Sequence, residues 1–200
     1  MNLFEKDFNS INILPFDGEV VYIENFLNEK EQQFFFQALL KNIEWKADEV
    51  KIFGKHIITK RKMAWYANEE IQYTYSGISR KAILWNNELL ALKNRIEKDF
   101  PDHFNACLLN LYHAGNEGMG WHSDNEKTIV ENSAIASISL GAARKFSFKH
   151  KIFNQTISLN LASGSLLLMK GETQKYWLHS LPKSTKVLES RINLTFRRMV

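Results

Sequence analysis

Along residues 87–100 the apolar positions Leu89, Leu92, Ile96 and Phe100 recur at helical spacing, whereas along 191–197 every odd residue is polar and every even one apolar. The first pattern predicts an amphipathic helix ended by Pro101. The second predicts a strand with Arg191, Asn193, Thr195 and Arg197 on one face and an opposite face entering a core. Another helix is expected through about Asn42, opened by Asn28 as N-cap with Glu31 three residues on, and presenting Phe34, Phe35, Ala38, Leu39 and Ile43 to the core. Elsewhere the period is two. Short strands are expected at 20–23, 50–52, 56–58, 105–112, 133–140, 144–150, 155–161 and 164–170, parted by turn residues. That succession predicts an α+β fold: a jelly roll (double-stranded β-helix) with two supporting helices.

Two of these strands flank Phe53-Gly54-Lys55, which predicts a hairpin with an aromatic residue at its tip. Tight turns usually carry polar residues, so Phe53 either folds back onto the hairpin or stands out for a partner. Lys60-Arg61-Lys62 follows, then Trp65, Tyr66, Tyr73 and Tyr75. Bases interleaved with aromatics suit contact with a nucleic-acid backbone together with base stacking. Tyrosines also fill ordinary β edges.

The chain has 200 residues, enough for one sizeable core, and is expected to form one domain over 1–200, with a hairpin and aromatic segment near 50–77 and a jelly-roll core near 105–198. The single cysteine, Cys107, excludes an intrachain disulfide framework and fits a reducing compartment. No apolar run approaches the roughly 20 residues that span a bilayer. A monomer in the cytoplasm, or in the nucleus of a eukaryotic cell, with no membrane partner is the expected setting. The net charge of +4 is unevenly spread: residues 1–32 hold seven acids and two bases, and residues 142–200 hold eleven bases and two acids. A basic C-terminal third steers toward a polyanion or is a solvated face without a partner.

The candidate chemistry begins at Gly118-Met119-Gly120-Trp121-His122-Ser123-Asp124. Residues two apart on an extended strand point the same way, so His122 and Asp124 project side by side. Such a pair forms two-thirds of a two-His-one-carboxylate face for Fe(II), or else an ordinary surface hydrogen bond. His179 can return beside the pair in a jelly roll. Asn110 and Tyr112 share one face of their strand just before it. In 191–197, two guanidiniums framing an Asn and a Thr suit a small dicarboxylate, because Arg grips a carboxylate with a bidentate fork.

The order His122-x-Asp124, His179, Arg191-x-Asn193-x-Thr195-Phe196-Arg197 resembles the AlkB family of Fe(II)- and 2-oxoglutarate-dependent dioxygenases, over about Phe53 to the C-terminus. The segments 52–55, Arg61-Lys62, 73–77 and 141–148 are most similar to its duplex-DNA-repair branch. The resemblance implies that His122, Asp124 and His179 ligate Fe(II), and that Arg191 pairs with 2-oxoglutarate in a pocket completed by Asn110, Tyr112, Asn193, Thr195 and Arg197. It implies that Phe53, with Gly54 and Lys55 in the same hairpin, fills the gap left by a flipped base. Tyr73 and Tyr75, with Thr74 between them, would line the base pocket, Arg61 would contact the substrate, and Glu126 would attract a cationic methylated base. Asn125 stands where relatives of this branch often have a second aspartate. Met63 stands where a polar strand-contacting residue is expected. The implied reaction uses O2 to demethylate 1-methyladenine and 3-methylcytosine in double-stranded and single-stranded DNA, releasing formaldehyde and succinate. An oxygenase acting on RNA, protein or a small molecule is the alternative, as is a non-catalytic reader with the same fold.

Overall fold

In the computed structural model the described residues are 11–52, 55–69, 72–75 and 78–200, with side chains described outside 50–57 and 70–80. In chain order the elements are β1 (Glu19–Ile23), α1 (Glu29–Asn42), β2 (Lys46–Ile52), β3 (Lys55–Ala67), β4 (Gln72–Tyr75), β5 (Ile78–Lys81), β6 (Ile83–Leu84), α2 (Asn87–Asp99), β7 (Ala106–Tyr112), β8 (Met119–His122), β9 (Ile135–Gly141), β10 (Arg144–His150), β11 (Thr156–Leu161), β12 (Ser165–Lys170), α3 (Thr173–Tyr176), β13 (Trp177–Leu181) and β14 (Arg191–Arg197). Among the described residues the larger sheet runs β1-β12-β9-β14-β7-β3-β2, with β6 beside β3. The smaller runs β11-β10-β13-β8, and β4 pairs with β5 apart from both. This is the expected jelly-roll arrangement.

One face of the larger sheet lies under the helices. Ile192, Leu194 and Phe196 of β14 pack there with Leu109, Leu111, Ile138 and Leu140 against Leu39, Leu89, Leu92 and Ile96. Both helices start as the sequence predicts: Asn28 and Glu31 close a reciprocal capping box, and the Asn86 side chain accepts from the Leu89 N–H. The opposite face of the sheet meets the smaller sheet through Val20, Ile135, Leu167, Met169, Phe148 and Trp177. The odd residues of β14 therefore point between two sheets, and the strand is covered on both sides.

Four expectations need correction. Phe34 is 62% exposed, and Phe36 takes its place in the packing. Its ring lies where a Cβ on Gly141 would stand, and Gly141 has φ +85°, so both space and backbone require glycine there. Trp65 and Tyr66 are buried because β3 runs between β2 and β7, so they are core and not a stacking surface. The basic third is less of a surface than its charge suggests: Arg144, Arg191 and Arg197 are all buried. The β2–β3 hairpin is also much longer than the short segments expected. Its register runs from Lys46↔Met63 to Ile52↔Lys55, with a shift between Ala47 and Glu49.

Candidate active site

His122 lies directly across the β8–β13 ladder from His179, which brings the two imidazole Nε2 atoms to 3.1 Å. Asp124 sits just past the end of β8, where its N–H donates to Gln174 Oε1. Its Oδ1 is 3.9 Å from His122 Nε2, and one ligand atom from each of the three residues falls within 4.8 Å of the others. His122 Nδ1 is 2.9 Å from the Gly120 carbonyl, which can only accept; the proton therefore sits on Nδ1 and the Nε2 lone pair faces the cluster. Phe146 stacks on the His179 ring at 5.5 Å.

The electrostatics keep this corner ready for a cation. Burial pushes the His179 imidazole down, and His122 adds to that, to about 3, so it is neutral. Burial alone would raise the Asp124 carboxyl, but Arg197, His179 and His122 outweigh it and hold it well below the usual carboxylate range. Arg197 Nη2 takes Asp124 Oδ2 at 2.7 Å, which leaves Oδ1 turned toward the histidines. Two imidazole nitrogens and one carboxylate oxygen gathered on one side fit Fe(II).

The cavity continues along the odd face of β14. Register places Arg191 beside Tyr112 and Gly141, Asn193 beside Asn110 and Ser139, and Thr195 beside Leu108 and Ser137. Arg191 Nη2 donates to Ser139 Oγ at 2.9 Å and to Asn193 Oδ1 at 2.7 Å, and Asn193 passes a hydrogen bond on to Thr195. Its Nε is buried without a partner among the described residues. Burial pulls the guanidinium down to about 10, with Arg144 adding to that and Tyr112 opposing it, so it remains charged. A buried cation held by a hydroxyl and an amide, and by no described carboxylate, fits an incoming carboxylate.

Asn110, Tyr112, Asn193, Thr195, Arg197 and the three metal candidates all line this one cavity. So do Asp48, Ser137 and Phe146, which sequence reasoning missed; their strands alternate, but nothing local says which face is inward. Arg61 lines it too, as the buried partner of Asp48. Met63 is also buried on this wall, where a polar residue was expected. Asn125 is exposed and Glu126 half-buried, and both line a neighbouring hollow that shares Asp124 with the cavity. Phe53 and Gly54 lie outside the described residues, as do the side chains of Lys55, Tyr73, Thr74 and Tyr75. Arg144, also missed as a structural residue, donates to the carbonyls of Gly115, Glu117 and Pro182 and so ties together the loops that leave β7 and β13.

Residues 19–197 match the family model of the 2OG-Fe(II) oxygenase superfamily. The chain is 37% identical over 180 residues to a DNA oxidative demethylase ALKBH2 from Bos taurus, covering 86% of this chain and 62% of that protein. It is 36% identical to the Mus musculus protein of the same name, covering 72% of it. It is also 36% identical over 190 residues to an alpha-ketoglutarate-dependent dioxygenase alkB homolog 3 from Bos taurus, covering 66% of that protein. The chain thus spans about two-thirds of the length of these relatives. A solved structure, OsALKBH1, shares the fold with a TM-score of 0.61 at 15% identity, over 92% of this chain and 99% of that one.

Proposed function

The chain belongs to the 2OG-Fe(II) oxygenase superfamily and, within it, to the DNA-repair branch of the AlkB family, and on that premise we propose that it removes N-methyl groups from DNA bases by oxidation. His122, Asp124 and His179 would hold Fe(II). Arg191 would take the distal carboxylate of 2-oxoglutarate, with Asn110, Tyr112, Asn193, Thr195 and Arg197 completing the pocket. When bound, the iron with O2 and 2-oxoglutarate supplies the oxidation that hydroxylates an N-methyl group, so that formaldehyde and the restored base are released alongside succinate. The lesions are 1-methyladenine and 3-methylcytosine, whose methylated rings are cationic.

The chain's own residues supply geometry and charge. Arg197 fixes one Asp124 oxygen and leaves the other for the metal. Gly120 sets the His122 tautomer. Ser139 and Asn193 aim the Arg191 fork. The apolar walls of the cavity, including Leu108, Met169 and Leu181, exclude water from the reacting groups. Phe53, which the sequence sets between β2 and β3, and the segment with Tyr73 and Tyr75 would receive the flipped nucleotide, all within a single domain.

The observation that carries this reading is that the two-His-one-Asp cluster and a buried arginine without a described acid share one cavity. Purified protein given Fe(II), 2-oxoglutarate and methylated oligonucleotides, single- and double-stranded, should release formaldehyde and succinate in equal amounts. Succinate formed without base-dependent formaldehyde would reassign the oxygenase to RNA, protein or a small molecule.

A further inference from the structure

The wall that β2 and β3 give to the cavity carries a second buried ion pair that the reaction above does not use. Asp48 on β2 and Arg61 on β3 are 3% and 6% exposed and bonded to each other. A register shift aims them there: Ala47 pairs with Lys62 but Glu49 pairs with Ile58, so Asp48 stands opposite three residues of β3. Such a bulge re-aims side chains, and the Thr59 hydroxyl donates to the Arg61 carbonyl within it. Arg61 also lies 5.7 Å from the Tyr112 ring, and its Nη1 reaches Met119 Sδ at 3.3 Å. Burial acts to lower its pKa, but Tyr112 and Asp48 outweigh it, so the guanidinium stays charged.

A wall built only for stability has no need of this pair, because apolar side chains of equal volume serve as well as a buried ion pair or better. What the pair adds is a defined charge on a surface that an entering base must face. Glu126, the acid that the sequence offers for this task, lines the neighbouring hollow instead. We propose that Asp48 and Arg61 form a charge filter for the entering base, in which the Asp48 carboxylate offsets Arg61 and favours a cationic methylated base over a neutral one. This inference rests on the demethylation reading and adds the residues that set its selectivity.

The two members of a filter must act in opposite directions, whereas two members of a merely structural pair fail in the same one. The test compares kcat/KM for oligonucleotides carrying 1-methyladenine, a cation, and 3-methylthymine, which is neutral. The ratio of their affinities, measured without oxygen, is a second readout that needs no turnover. Asp48→Asn leaves Arg61 uncompensated and should lower the cation-to-neutral ratio about tenfold or more, the order of one charge-assisted hydrogen bond. Arg61→Gln leaves the carboxylate and should raise the ratio about threefold or more. Because each ratio is internal to one variant, a reduced folded fraction cancels. If Asp48→Asn does not fold, Arg61→Gln and the neutral double variant carry the test, the double returning toward the wild-type ratio. Shifts in the same direction, or no shift in either variant, overturn the filter while leaving demethylation standing. A wild-type protein that neither binds nor demethylates either oligonucleotide overturns the demethylation reading, and the filter with it.

Discussion

At the His122 corner of the cavity the buried acid has a buried cation as its partner, Asp124 with Arg197, whereas Arg191 at the other end of the same strand meets a hydroxyl, an amide and a tyrosine ring. Both arginines project from the odd face of β14, and both are almost fully buried. Their surroundings divide the work. Arg197 belongs to the protein's own charge balance and holds Asp124 ionised, while Arg191 has no carboxylate partner among the described residues.

The largest effect should come from breaking the balanced end. Asp124→Ala removes the carboxylate of the candidate metal site and strands Arg197 in the interior. Iron-dependent turnover should fall below detection, and unfolding in urea should show a loss of about 3–5 kcal/mol, the usual result of removing one partner of a buried pair. Substantial iron-dependent formaldehyde release by this variant would move the metal elsewhere. At the unbalanced end, Arg191→Lys keeps the charge but loses the fork. Its 2-oxoglutarate requirement should rise roughly 10- to 100-fold, as expected from about 1.5–3 kcal/mol for a charge-assisted hydrogen bond. An unchanged co-substrate titration would place the carboxylate at another cation.

The resemblance gives Phe53 no part in holding the metal or the co-substrate, so its removal should spare both affinities. Phe53→Ala should slow repair of methylated duplex about tenfold more than repair of single strands, since base–aromatic stacking is worth about 1–3 kcal/mol. Equal losses on both substrates, with a lowered melting temperature, would make it a packing residue of its hairpin. The smallest effect sharpens the comparison most. Without 2-oxoglutarate, Arg191→Met should change stability by less than about 1 kcal/mol or raise it, because an apolar replacement strands no acid. Arg197→Met should cost several times more, and equal losses would erase the distinction between the two ends.

The face of β14 was legible in the sequence because a period of two assigns alternate residues to opposite sides whatever the strand packs against. His122, Asp124 and His179 were legible through motif order, and the start of α1 through its cap. What local pattern cannot express is whether a strand is covered on one side or both. Lys60-Arg61-Lys62 reads as a surface run, yet the bulge opposite Asp48 turns Arg61 inward. Trp65 and Tyr66 read as an aromatic platform, yet β3 is interior to its sheet. Phe34 and Phe36 are two apart on α1, and the choice between them is made by Gly141, more than a hundred residues away. Asp48 carried no signal of its own, since its role depends on a strand pairing that only the folded chain defines.

Arg144 has a consequence for motion. Its guanidinium bonds the carbonyls of Gly115 and Glu117, in the loop leading to β8, and of Pro182, in the loop that leads to β14. Those two loops deliver His122 to one end of the cavity and Arg191 to the other. The Ser184 N–H also donates to the Gly115 carbonyl beside the clamp, and the Gly115 N–H donates to the Val187 carbonyl. Joined in this way, the loops cannot fray separately, so the amides of 113–118 and 182–190 should exchange with solvent as one cooperative unit.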